Sequence, residues 1–284
     1  MQMWKMFRME ATTRSPCSLC AGATNLSRQA ILILAVSLGS LLMSCSTLVP
    51  RYGERHLDFD GYGWKAIDSE GAIGPGPNRF SAANVRLDDS GRLVLSTRRD
   101  ASGWSCAEVF LDKSLSYGRY ELRLLPIEGG LDPQVVFGFY TWDESAAFAH
   151  REIDIEIARW GRSTHPNLNF AVQPSEGHDE RVAVSEIDLS SPVTMRFDWS
   201  PGSLRFIVLD EGRRTEWSFP SPSPSDTVAS RAMPEGGEGP PPPFLVPPDG
   251  NEVVSLNLWL FQGRSPEKPT RVVVSGFSYT PLSN

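Results

Sequence analysis

Apolar and polar residues alternate with a period of two along most of the chain after residue 50. In "YGRYELRLLP", Tyr120, Leu122 and Leu124 fall on one side and Arg119, Glu121 and Arg123 on the other. In "REIDIEIARW", Ile153, Ile155 and Ile157 alternate with Glu152, Asp154 and Glu156. Side chains on a β-strand point to opposite faces in turn, so this period predicts half-buried strands. "QVVFGFYTW" is nearly all apolar and aromatic and predicts a strand buried on both faces. "RLVLSTRR", "NLNFAVQP", "VTMRFDWS", "LRFIVLD", "RTEWSFP", "VVSLNLWLFQ" and "TRVVVSGFSYTP" complete the series. Gly, Pro, Asn and Asp separate the runs, and no amphipathic helix of normal length follows residue 50. Many short strands with such turns predict a single all-β domain, a sandwich or barrel.

Two segments break this pattern. Residues 220–250 are dense in Pro, Gly and Ser. Pro lacks the N–H that a sheet ladder needs, so this stretch predicts a long surface insertion within one domain. At the other end, "RQAILILAVSLGSLLMSCS" has a basic flank at Arg28, an apolar run from Ala30 to Met43, and Cys45. The run reads as a secretory signal and is short for a membrane-spanning helix of about 20 residues. Its end, Leu42-Met43-Ser44-Cys45, resembles a bacterial lipobox. That resemblance implies cleavage before Cys45 and acylation of it. The expected layout is a leader and signal over 1–44, a lipidated tether over 45–56, and a folded domain over 57–284. The expected place is extracytoplasmic, anchored at the cell envelope. Met1, Met3, Met6 and Met9 leave the true start open, and the Cys17–Cys20 pair has no second pair to bind metal with.

The full chain carries a net charge of −7. Removing residues 1–44, with four basic side chains and one acidic, takes it to −10. Lys and Arg are scattered, which argues against a nucleic-acid partner. With Cys45 acylated, Cys106 has no partner for a disulfide, so stability must come from the core. His150, His165 and His178 show no metal-ligand spacing, and no phosphate loop or G-x-S-x-G elbow is present. No cofactor is expected, and the molecule is expected to be a monomer.

The acidic strand carries the chemistry. An ordinary half-buried strand explains the isoleucines but not a face made only of carboxylates, which repel one another. Glycoside hydrolysis needs two carboxyl groups at the scissile bond, one ionised and one protonated. Positions four apart on a strand lie roughly 13 Å apart at Cα, and inward-leaning Glu side chains can close that to about 5–5.5 Å or leave it wider. Spacing alone therefore does not fix the stereochemistry. Asp154 between them would oppose ionisation of its neighbours and raise the acid's pKa. Trp142 and Trp160 flank the strand and are candidates to stack on sugar rings, although a Trp in a sandwich is as readily part of the core. Asn169 and Gln173 share a face of the next strand and can bond sugar hydroxyls or solvent.

"EIDIE" resembles the E-x-D-x-E signature of family 16 glycoside hydrolases, which include laminarinases and lichenases. "NVRLDDSGRLVLSTRR", "YGRYELRLLP", "FGFYTW", "FDWSPGSLRFIVLD" and "LNLWL" are similar to other family segments in the right order, from about residue 57 to 281. The resemblance implies a concanavalin-like β-jelly roll of two curved antiparallel sheets with a sugar cleft on the concave face. It implies Glu152 as nucleophile, Asp154 as assisting carboxylate and Glu156 as acid/base. It also allows a structural calcium ion away from the cleft. The chain departs from the pattern in "AAFAHR", where the family keeps a Gly and, upstream, a Trp-Pro. The expected activity is retaining hydrolysis or rearrangement of a β-linked polysaccharide. Its rivals are a lectin-like binding module without turnover and an envelope protein whose acidic strand holds a metal.

Overall fold

The computed structural model describes residues 52–219 and 246–282. The signal segment, Cys45 and residues 220–245 of the Pro-rich segment lie outside the described residues. Seventeen strands follow in order: β1 Tyr52–Phe59, β2 Tyr62–Ser69, β3 Val85–Leu87, β4 Leu93–Ser96, β5 Arg98–Asp100 and β6 Gly103–Ser105. Next come β7 Ala107–Leu111, β8 Gly118–Leu124, β9 Val135–Trp142, β10 Ile153–Ala158, β11 Leu168–Val172 and β12 Val182–Ser185. The last are β13 Val193–Ser200, β14 Ser203–Asp210, β15 Arg213–Phe219, β16 Val253–Leu260 and β17 Arg271–Pro281. Among the described residues the helical turns between them are short 3-10 turns.

An eight-stranded sheet has the order β1-β2-β7-β16-β9-β10-β11-β12, and a seven-stranded sheet the order β15-β14-β13-β8-β17-β4-β3. Both are antiparallel throughout. The apolar set of each strand faces the other sheet. Phe139 of β9 lies 5.2 Å from Phe197 of β13, which stacks on Tyr120 of β8 at 4.7 Å. Ile153, Ile155 and Ile157 are fully buried in this core. The alternation in β10 therefore does what its period predicts and turns the carboxylates to the outer face of the eight-stranded sheet.

Two boundaries differ from expectation. β1 begins at Tyr52 and pairs with β2 from there, so part of the expected tether is strand. Residues 246–250 close the Pro-rich segment as packed chain. Val246 is buried, and Trp199 Nε1 donates to the Pro247 carbonyl at 3.0 Å.

Candidate active site

β10 sits between β9 and β11, and directly opposed residues share a face. Glu156 faces Gly138 on β9 and Asn169 on β11, while Asp154 faces Tyr140 and Ala171. The row continues from Gly138 to Asn257 on β16 and then to Glu108 on β7. The carboxylates are not the solvated face an ordinary strand would show. Asp154 is 4 % exposed and Glu156 8 %, while Glu152 at the strand's start is half-buried.

Burial is the first cause that pushes Glu156 well above the usual carboxylate range, followed by the charges of Asp154 and Glu152. The charge of Asp154 thus acts on Glu156 in the expected direction, second to desolvation. Glu156 Oε2 and Asn257 Oδ1 are both buried with no hydrogen-bond partner among the described residues. Buried polar atoms are seldom left so, and each points to something that supplies a donor. Gly138 makes the space between them. A Cβ there would fall 2.5 Å from Asn257 Oδ1. Gly138→Ala is expected to displace Asn257 and to destabilise the fold by about 1–3 kcal/mol, as overpacking does. Thermal unfolding of the variant beside the wild type checks it.

Before Glu152 the chain makes an unusual turn. Phe148, Ala149, His150 and Arg151 have φ of 52, 50, 61 and 51°. Left-handed backbone is costly for residues with a Cβ, so something must hold it. Arg151 Nη1 meets Asp143 Oδ2 at 2.5 Å, and the guanidinium lies over the Phe148 ring. Asp143 N–H donates to His150 O, and His150 Nδ1–H donates to Asp143 O, both at 2.8 Å. Thr141 links the turn to β10, donating from Oγ1 to Arg151 O and accepting from Ile153 N–H. His150 and Arg151 thus stand where the family keeps a small residue, but Arg151 is folded back under the turn.

A scan against family models gave no match. The chain is 28 % identical over 132 residues to a β-glucanase of Paenibacillus polymyxa, a match covering 45 % of this chain and 53 % of that one. The chain thus spans about half the length of that relative. A Bacillus licheniformis β-glucanase structure superposes with a TM-score of 0.55 at 19 % identity, over 81 % of this chain and 99 % of that one. A structure described as an immunostimulatory antigen and pseudo beta-1,3-glucanase of Mycobacterium tuberculosis superposes at 0.51 and 18 %, over 74 % and 88 %. The fold is the β-glucanase jelly roll.

Within that β-glucanase fold the four residues expected to meet sugar each have protein neighbours. Trp142 carries His150 stacked on one face, 4.1 Å away with planes 8° apart, so it offers a ring pair rather than an open indole. Trp160 is 3 % exposed, against Trp259 and Phe261, and packs as core does. Asn169 is 2 % exposed. Its Oδ1 accepts from Trp160 Nε1 and its Nδ2 donates to Ala158 O, each at 3.0 Å. It braces the end of β10. Gln173 donates from Nε2 to Asp154 Oδ2 at 3.1 Å, which turns its amide toward a carboxylate.

Several site residues carried no local signal. Tyr140 donates to Glu108 Oε1 at 2.5 Å, and burial pushes Glu108 up to about 7. Glu108 stands in "CAEVFLD", where nothing marks it, and it reaches the site only through sheet order. A cavity of about 340 Å³ opens near Gly129, Gly130, Arg159 and Glu186. Its charged groups are already paired, Arg159 with Glu186, and Asp188 with Ser190. Among the described residues no group of three or more His, Cys, Asp or Glu is placed to hold a metal.

Proposed function

We propose that the protein is a glycoside hydrolase that cleaves a β-glucan with retention, outside the cytoplasm and anchored by a lipid on Cys45. The observation that carries this is Glu156, buried and held above the usual carboxylate range, four residues from half-buried Glu152 on one face. A buried carboxyl held protonated beside a more exposed one divides the acid and nucleophile roles. In this reading Glu152 attacks the anomeric carbon while Glu156 gives its proton to the departing oxygen. Glu156 then takes a proton from water, which displaces Glu152 and restores the β-configuration. The sequence match to β-glucanases supports the substrate class, and the lipobox-like end of the leader supports the anchor.

Product release from a panel of β-glucans tests the reading, with the anomer of the first product read by NMR. The pH profile follows from the site. Activity requires Glu152 ionised and Glu156 protonated. Since the Glu156 pKa lies above the ordinary value, kcat/KM is expected to hold through the range where free carboxylates are ionised and to fall only as pH rises through the raised pKa. Glu156→Gln is expected to abolish that alkaline limb along with most activity on glucans. Metabolic labelling with palmitate, lost in Cys45→Ser, tests the anchor.

A second reading is a carbohydrate-binding protein without turnover. The His150–Trp142 stack and the Arg151 turn beside Glu152 favour it, as does the superposition on a protein described as a pseudo-glucanase. Binding of a glucan with no product from any polymer would establish that reading.

A further inference from the structure

Gln173 touches both halves of the acidic strand. Its backbone N–H donates to the Glu152 carbonyl at 3.0 Å, and its Nε2 donates to Asp154 Oδ2. The amide has one possible orientation. Its Oε1 accepts from the backbone N–H and from the hydroxyl of Ser175, each at 3.0 Å. A backbone N–H can only donate, so the NH₂ end must face Asp154. The main chain beneath is fixed as well. Arg181 is fully buried and donates to Val172 O and Gln173 O, both at 2.8 Å, with its guanidinium 4.9 Å from the Phe219 ring.

A contact that can only donate favours the ionised form of its carboxylate. Asp154 and Glu156 are like-charged neighbours on one buried face, and such a pair holds a proton between them. The member that receives a fixed donor is the one that stays ionised. Asp154 receives Gln173, whereas Glu156 Oε2 receives nothing among the described residues. We propose that Gln173 is a positioning residue that keeps the acid proton on Glu156 by holding Asp154 as an acceptor. Its effect on turnover rests on the hydrolase reading above, but its effect on the proton's place does not. The other groups facing the pair are Glu152 on the same strand and Tyr140 on β9, whose hydroxyl is turned to Glu108 on β7. Arg181 lies behind Gln173, and Arg151 is paired with Asp143. Gly138, Asn257 and Asn169 beside Glu156 are neutral.

Gln173→Met keeps the volume and removes the donor. Part of the proton then moves to Asp154, and the population of enzyme with a protonated Glu156 falls. Turnover of a β-glucan, whose leaving group needs a proton, is expected to drop about 10- to 100-fold, within the range general acid catalysis supplies. A 2,4-dinitrophenyl β-glycoside leaves without one, and its turnover should stay within about threefold, because no acid catalysis is at stake. A variant that merely distorts the strand would lose both alike. Carbon-13 NMR of the full chain labelled at Asp and Glu carboxyls reads the proton directly near neutral pH. The protonated signal, assigned by its absence in Glu156→Gln, is expected to pass in part to Asp154. Retention of the whole signal on Glu156, or equal losses on both substrates, would overturn the proposal. A wild type inactive on every substrate would sink the hydrolase reading instead, and the NMR result would still decide Gln173's role. If Gln173→Met does not fold, Ser175→Ala removes one of the two donors that orient the amide and should give the same shift, smaller.

Discussion

Replacing Glu152 with Gly should lower hydrolysis of a β-glucan by about 10⁴- to 10⁶-fold, the scale on which loss of a nucleophile is felt in hydrolases. The fold should survive, because Glu152 is half-buried at the start of β10 and contributes nothing to the isoleucine core. The space left by the side chain admits a small anion. With a dinitrophenyl β-glycoside as donor, azide is expected to restore turnover and yield the α-glycosyl azide, since it attacks from the face Glu152 occupied. Glu156→Ala should behave in the opposite sense. An activated donor still loads Glu152, and azide then releases it as the β-product. The two anomers assign the two roles independently, and they rest on separation as well as identity. A retaining pair holds its carboxyls about 5–5.5 Å apart, and an inverting pair leaves room for a water. Azide products of one configuration from both variants, or inverted sugar from the wild type, would refute the assignment.

What the sequence made legible was local. A period of two in β8 and β10, and an unbroken apolar run in β9, are properties of single strands, and each strand formed where its pattern placed it. The acidic face of β10 was legible for the same reason, since three carboxylates at alternate positions must share a side. What could not be read was which strands lie beside β10. Glu108 meets Tyr140 only because β7 and β9 both flank β16, far apart in the chain. Asn257 was visible within "LNLWL", but its meaning depends on Gly138 leaving room for it. Asn169 lies on β11 and Gln173 just past its end, and both make hydrogen bonds to the protein. Trp160 looked like a sugar platform by proximity, whereas it stands past the end of β10 with its own φ at 51° and packs against Trp259 and Phe261. "AAFAHR" was legible as a departure, but not as a turn pinned by an ion pair.

That ion pair gives the second large effect. Asp143→Ala is expected to destabilise the fold by about 3 kcal/mol, because it strands a buried guanidinium. The Arg151 side chain is 13 % exposed and that of Asp143 4 %. A range of about 3–5 kcal/mol is usual for breaking such a pair, and two features set the lower end here. The ring of Phe148 stays beneath the guanidinium, and Glu252, 1 % exposed, also feels the charge of Arg151. Gly250 gives the guanidinium its room, since a Cβ there would lie 2.5 Å from its Nε. The loss should fall on turnover too. Four consecutive left-handed residues store strain of about 1 kcal/mol or more each, and the Asp143–Arg151 ion pair helps to hold them. Released, the turn relaxes and Glu152 shifts with it, and a misplacement near 1 Å costs about 100-fold. Urea unfolding and kinetics on Asp143→Ala, Arg151→Met and the double variant separate the two effects. The double variant removes the stranded charge, so most of the stability should return. Turnover should return only in part, because the ion pair is gone and the turn is then held by the Thr141 and His150 hydrogen bonds alone. A loss below about 1 kcal/mol for Asp143→Ala would mean that water reaches Arg151 and that the turn is kept by Thr141 and His150 alone.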